Sequence, residues 1–163
     1  MTKGILPAFS DGEGGPAAAP PARWVVCERS GAWAVALRRE AASQELRLYE
    51  TRSLADAWAV LDRSPATFLV VELTDANAES LVERVAGMER RFPHARAAVV
   101  AERSLARYEW LVREAGAVWF AVSPRDLRPI VALASRHLQR APCPPRDLAQ
   151  QFWSSLPWGP ATG

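Results

Sequence analysis

Lysine is almost absent from this chain. Of the 20 lysine and arginine residues only Lys3, near the amino terminus, is a lysine, so no lysine amine is available to act as a nucleophile or hold a phosphate in the body of the chain. Cysteine is scarce too: Cys27 stands in an apolar run and Cys143 between prolines. Two cysteines in such unlike contexts make neither a disulfide framework nor a zinc site, and a reducing cytoplasm is the expected setting. No apolar run approaches the roughly 20 residues of a membrane helix. The opening MTKGILPAFSDGEGG lacks the apolar centre of a signal peptide, so no membrane partner is expected. A formal charge of +2 is too small to point to a nucleic acid. Neither a helix-turn-helix nor a clustered basic stripe is present, so nucleic acid is not an expected partner.

What remains is apolar and regular. Hydrophobic residues make up 49% of the 163, enough for one proper core. Residues 1–22 are rich in Gly, Ala and Pro and are expected to be a flexible N-terminal segment. Residues 23–141 alternate strand and helix. Residues 142–163 open on a stiff Pro-rich spacer and close on an aromatic tail.

RWVVC (23–27) reads as a first strand, followed after Ser30 by a helix with Trp33, Ala34, Leu37 and Ala41 on one side. LRLYE (46–50) reads as strand two. Ser53 is placed to cap a helix whose Leu54, Ala57, Trp58 and Leu61 recur at i, i+3, i+4 and i+7. TFLVVEL (67–73) is apolar almost throughout, as a parallel strand covered on both faces should be. A helix carrying Leu81, Val85, Met88 and Phe92 follows, stopped by Pro93. ARAAVVA (95–101) is strand four, and its helix turns Leu105, Tyr108, Val112 and Ala115 inward before Gly116. AVWFAV (117–122) is strand five, and the closing helix buries Leu127, Ile130, Val131, Ala134 and Leu138. Five such units specify a doubly wound α/β fold: a five-stranded parallel sheet in the order 2-1-3-4-5, flanked by five helices, with flexible N-terminal and C-terminal tails. Its functional crevice lies outside the carboxyl ends of strands one, three and four.

The segment EAGAVWFAVSPRDL (114–127), last in that series, resembles the final strand of a bacterial response-regulator receiver domain, in which Ala-Gly-Ala, an aromatic-bearing strand and Lys-Pro follow one another. The resemblance covers about 120 residues in order and spacing, and implies a degenerate, flavodoxin-like pseudo-receiver. The family's acidic pair after strand one aligns with Cys27 and Glu28, its phospho-accepting aspartate with Glu72, its hydroxyl residue with Ala101 and its lysine with Ser123. The aromatic that rotates on phosphorylation aligns with Phe120, and the cis-proline with Pro124.

Each substitution removes a part of the chemistry. Phosphoryl transfer to a carboxylate needs a fixed nucleophile, a hard cation on oxygen ligands and donors for the transferred charge. Glu72 is longer than aspartate by a methylene, and about 1 Å of misplacement can cost on the order of 100-fold. With a cysteine at a ligand position and lysine and hydroxyl both gone, no enzymatic activity, no metal and no cofactor are expected. Glu72 has two readings, a permanent mimic of the phosphorylated state and an ordinary strand-end acid.

Receivers bind partners, or a second copy, through the face of helix four, strand five and helix five. The matching candidates are Trp110 with Arg107 on one helix and Leu133, Arg136 and His137 on the other. In the tail, Leu148, Phe152 and Leu156 recur on one helical face, with Trp153 and Trp158 beside them, the pattern of a segment that docks into a groove. The reading that follows is a non-catalytic signalling or scaffolding module acting through protein–protein interaction, a protein partner or homodimer. The alternatives are a constitutively active-like regulator with Glu72 as phosphomimic, and a flavin- or nucleotide-binding enzyme on the same fold. The latter would want a phosphate loop where CERSGAW (27–33) offers one glycine and one serine.

Overall fold

The structure, a computed structural model, describes residues 21–141. Strands β1 (Trp24–Cys27), β2 (Leu48–Thr51), β3 (Phe68–Leu73), β4 (Arg96–Ala101) and β5 (Trp119–Ala121) form one parallel sheet in the order β2-β1-β3-β4-β5. Helices α1 (Ala32–Glu40), α2 (Leu54–Arg63), α3 (Ala78–Arg91), α4 (Glu109–Glu114) and α5 (Arg128–Arg140) alternate with the strands. The expected sheet, strand order and helices are therefore the observed ones, and the expected N-terminal segment up to residue 20 and the tail 142–163 lie outside the described residues.

Alternation along the central strands sorts side chains to two buried faces. Val25, Leu69, Val71, Ala97, Val99 and Phe120 point to one side, where Trp58 of α2, Val85 of α3 and Val112 of α4 cover them. Val26, Phe68, Val70, Ala98 and Val100 point to the other, under Leu37 of α1 and Ile130 and Ala134 of α5. All the strands run the same way, so their carboxyl ends share one rim of the sheet.

Several element boundaries differ from the sequence expectation. Leu46 stays in the α1–β2 loop, its N–H turned to the carbonyl of Gln44, and pairing with β1 begins only at Leu48 opposite Trp24. The fourth helix starts as a 3-10 segment, Arg103–Tyr108. At three residues per turn Leu105 and Tyr108 lie on the same side, and both pack on the core. Gly116, at φ 111°, ends α4 where a side chain would be strained. Ser53 caps α2 as expected, its hydroxyl accepting the Asp56 N–H at 3.1 Å. The Ser123–Pro124 bond, expected to be cis, is trans, as is every described peptide bond.

Candidate functional site

At the carboxyl ends of β1 and β3, beside the start of α2, lies a cleft of about 200 Å³ lined by Cys27, Glu28, Arg29, Arg52, Glu72 and Asn77, among others. The sequence expectation placed the degenerate reaction centre here, and three of its five residues, Cys27, Glu28 and Glu72, do line it.

Glu28 does not face the cleft as a free acid. It is 2% exposed and turned back onto the start of α1. One carboxylate oxygen accepts the Ala34 N–H at 2.5 Å, and the other accepts the Trp33 N–H at 2.9 Å and the Ser30 hydroxyl at 3.5 Å. Both backbone groups lack helical partners at a helix start, and the positive end of the helix dipole favours the charge. Gly31, at φ 87°, makes the turn between the acid and the helix.

Glu72 is half-buried at the end of β3. Its Oε2 accepts the Arg29 N–H at 3.0 Å, tying the β1–α1 loop to the central strand. Its backbone carbonyl accepts from Asn77 Nδ2 at 2.9 Å, and Asn77 Oδ1 accepts the Thr74 N–H at 2.8 Å, which closes the β3–α3 loop on itself. Arg52, just past β2, lies across the cleft. Its guanidinium donates to the carbonyls of Glu28 and Arg29 at 3.5 and 3.4 Å and pairs with Glu50 at 2.8 Å. Arg52, Thr74 and Asn77 were not singled out from the sequence, and Ser53 only as a helix cap. Their partners are mostly backbone atoms, and only the ends of β2 and β3 in a doubly wound sheet pointed toward them.

Cys27 is buried beside these acids. Burial pushes its thiol above the ordinary 9.0, the Thr51 hydroxyl opposes this, and the carboxylates of Asp56, Glu72 and Glu28 add to the rise. It is a packed thiol, without the character of a reactive thiolate. The set does not fit Mg²⁺. A hard cation needs several free oxygens, whereas one acid holds helix N–H groups, a soft thiol stands beside it, and a guanidinium crosses the opening. Among the described residues no three acids, histidines or cysteines are grouped as a metal site.

Ala101 and Ser123 are not part of the cleft lining. Ala101 is fully buried at the end of β4, and Ser123 is engaged locally, its hydroxyl accepting the Arg125 N–H at 3.3 Å. Phe120 is 6% exposed and belongs to the core under α4.

The expected partner face is split. Trp110 is 71% exposed, and Arg136 is also on the surface. Arg107 pairs with Asp75 at 3.2 Å and lies over the Tyr108 ring. Two candidates turn inward instead. Leu133 packs against the α1–α5 side of the core. His137 sits on Phe68, ring centroids 5.6 Å apart, with Nε2 at 2.8 Å from the Ala66 carbonyl. Burial lowers its pKa from the ordinary 6.5, the Ala66 hydrogen bond raises it, and Arg96 lowers it further. Both sit on the side of α5 that meets the sheet, which the helical spacing alone had assigned to solvent. The tail candidates Leu148, Phe152, Trp153, Leu156 and Trp158 lie outside the described residues.

Sheet order, helix placement and crevice together define the fold of a response-regulator receiver domain. No family model and no curated protein matches the sequence. Solved structures do match the fold. A CheY-like protein, tadZ, from Pseudomonas aeruginosa superposes with a TM-score of 0.56 at 20% identity, over 77% of this chain and 99% of that one. An atypical orphan response regulator, described as having a phosphorylation-independent regulatory mechanism, gives 0.59 at 17% identity, over 74% and 98%. An orphan response regulator of H. pylori gives 0.54 at 16% identity, over 71% and 96%. At these identities the likeness is one of fold. Among the described residues no helix is long and apolar enough to cross a membrane.

Proposed function

We propose that this protein is a non-catalytic, receiver-like signalling or scaffolding module that acts through protein–protein contacts and is not phosphorylated by the aspartyl route. The observation that carries this reading is the internal satisfaction of the cleft. Glu28 is bound to the start of α1, Glu72 to the Arg29 N–H, and Arg52 to two carbonyls and Glu50. Groups that would bind a cation and a phosphoryl donor in a working receiver here hold loops in place.

The Arg29–Glu72 bond also favours the plain reading of Glu72 over the phosphomimic, since its charge is spent on a neighbouring backbone group. The cleft volume of about 200 Å³ disfavours a flavin enzyme, because ligand pockets run roughly 300–1,000 Å³. Partner contact is assigned to the exposed Trp110, Arg107 and Arg136, and to the tail 147–158 as a second docking element joined through the spacer. Nucleic acid and membrane are not assigned as partners, and the setting is cytoplasmic. The test is incubation with acetyl phosphate and Mg²⁺ followed by intact-mass measurement. No change is expected, and an acid-labile gain of about 80 Da, one phosphoryl group, would overturn the reading.

A further inference from the structure

At the amino rim of the sheet, opposite the crevice, an open cavity of about 170 Å³ lies between the α3–β4 loop, the start of β4 and the end of α5. Pro93, His94, Arg96, His137, Arg140 and Ala141 line it. Both histidines of the chain are therefore here, with two arginines and no carboxylate. Among the described residues none of these four side chains makes an ion pair.

Positive charge near a helix end has an ordinary explanation. His137 and Arg140 stand in the last turn of α5, where they offset the negative end of the helix dipole. That end carries only about half a charge, and Arg140 alone outweighs it. Arg96 belongs to a strand, and His94 lies past the end of α3, whose last turn has Arg90 and Arg91 of its own. The dipoles account for neither, and the cavity is left with a surplus of positive charge.

Two of the four groups are held in place. Arg96 Nη1 donates to the carbonyls of Pro93 and Ala95 at 2.9 and 2.6 Å, which fixes the guanidinium and leaves its other nitrogens to donate elsewhere. His137 rests on the Phe68 ring with Nε2 at the Ala66 carbonyl. A carbonyl only accepts, so Nε2 carries the proton of the neutral ring, and a second proton on Nδ1 makes that atom a donor as well. The charged and titratable groups facing His137 are Arg96 from β4, His94 from the α3–β4 loop and Arg140 from its own helix, while β3 brings only the Phe68 ring.

We propose that this cavity binds a doubly charged oxyanion of phosphate size, either free phosphate or the phosphate of a small phosphomonoester. Fixed guanidinium forks with imidazole donors suit the oxygens of such a group. The volume takes one tetrahedral anion, whereas pockets for larger ligands run roughly 300–1,000 Å³. Burial lowers the His137 pKa below the ordinary 6.5, the Ala66 bond opposes this and Arg96 adds to it. A bound anion favours the charged ring, so affinity rises as pH falls. The site lies at the rim opposite the degenerate reaction centre and does not rest on the reading of that crevice.

Amide spectra of the isotope-labelled full chain, titrated at constant ionic strength against chloride, test the proposal. Inorganic phosphate, glycerol phosphate and sulfate are the probes. Saturable shifts centred on His94, Arg96, His137 and Arg140 are expected at low millimolar concentration. Arg96→Gln and Arg140→Gln should each weaken binding by about tenfold or more, as loss of a charge-assisted hydrogen bond does. Arg140 is exposed at the end of its helix, so that variant should fold as the parent does. Tighter binding of glycerol phosphate than of inorganic phosphate would uphold the site and assign it to the phosphate of a larger molecule; the reverse would uphold it for the free ion. Sulfate keeps its charge between about pH 7.5 and 5.5, so its affinity should rise severalfold over that range in the parent and stay level in His137→Gln. Shifts that never saturate, that chloride produces equally, or that centre on Arg52 and Glu72 would overturn the proposal. Binding unchanged in both arginine variants would overturn it too, and a level sulfate affinity in the parent would overturn the part given to His137.

Discussion

Removing the Glu28 carboxylate should cost far more stability than an acid lining an open cleft would. Glu28→Ala leaves the N–H groups of Trp33 and Ala34 without acceptors at a site only 2% exposed, where water has no easy entry. A buried donor stripped of its partner costs about 1–3 kcal/mol, and loss of a helix cap by itself about 0.5–2 kcal/mol. These overlap, so the expected destabilisation is about 2–4 kcal/mol. In a domain of this size that lowers Tm by on the order of 10 °C. Glu28→Gln keeps one acceptor oxygen but turns an NH₂ toward the other N–H, and should cost roughly half as much. Thermal and urea unfolding of the three proteins, with and without Mg²⁺, measures this. Glu28→Ala within about 0.5 kcal/mol of the parent would refute the capping role, that being the usual range for an unconstrained surface site. A Tm raised by Mg²⁺ in the parent and unchanged in Glu28→Gln would refute it from the other direction, by showing a free ligand.

Three further outcomes follow from the same geometry. His137 has a folded pKa below its ordinary 6.5, so the unfolded chain binds the proton more readily; its contribution to stability is present above 6.5 and is lost as pH falls from there through the lower folded value. Tm of the parent should therefore drop more steeply between about pH 7.5 and 5 than that of His137→Gln, and parallel curves would contradict this. Cys27, buried and raised above 9.0, should react with iodoacetamide at about pH 8 far more slowly in folded than in urea-unfolded protein, as peptide mapping would show; equal rates would mean the strand end opens freely. Ending the chain after Pro142 should leave a domain with a cooperative unfolding transition, and loss of that transition would assign the tail to the core.

The strand–helix alternation was legible because it is written in local pattern. LVV (69–71) is apolar at every position, as burial on both faces requires, and Leu54, Ala57, Trp58 and Leu61 repeat with helical spacing. The location of the candidate site followed from sheet order alone. What each residue does there did not. Glu28 reaches backbone groups five and six residues ahead, across a turn that depends on Gly31 at positive φ, and no side-chain pattern signals that. Arg52 bonds carbonyls, which every residue possesses. His137 was misplaced because its acceptor, the Ala66 carbonyl, is 71 positions away in sequence. The tightened start of the fourth helix was hidden for a different reason: Leu105, Tyr108 and Val112 satisfy an α-helical reading equally well.

The central claim is that this receiver fold presents its surface without a phosphorylation switch. Amide spectra of isotope-labelled protein, recorded with Mg²⁺ alone and then with acetyl phosphate, test it most directly. The account predicts that the Arg29, Glu72, Phe120 and Trp110 resonances stay in place through both additions. Shifts that begin at Glu72 and spread through Phe120 to Trp110 would contradict it, because they would show a cleft that still takes the signal and a surface that still reads it.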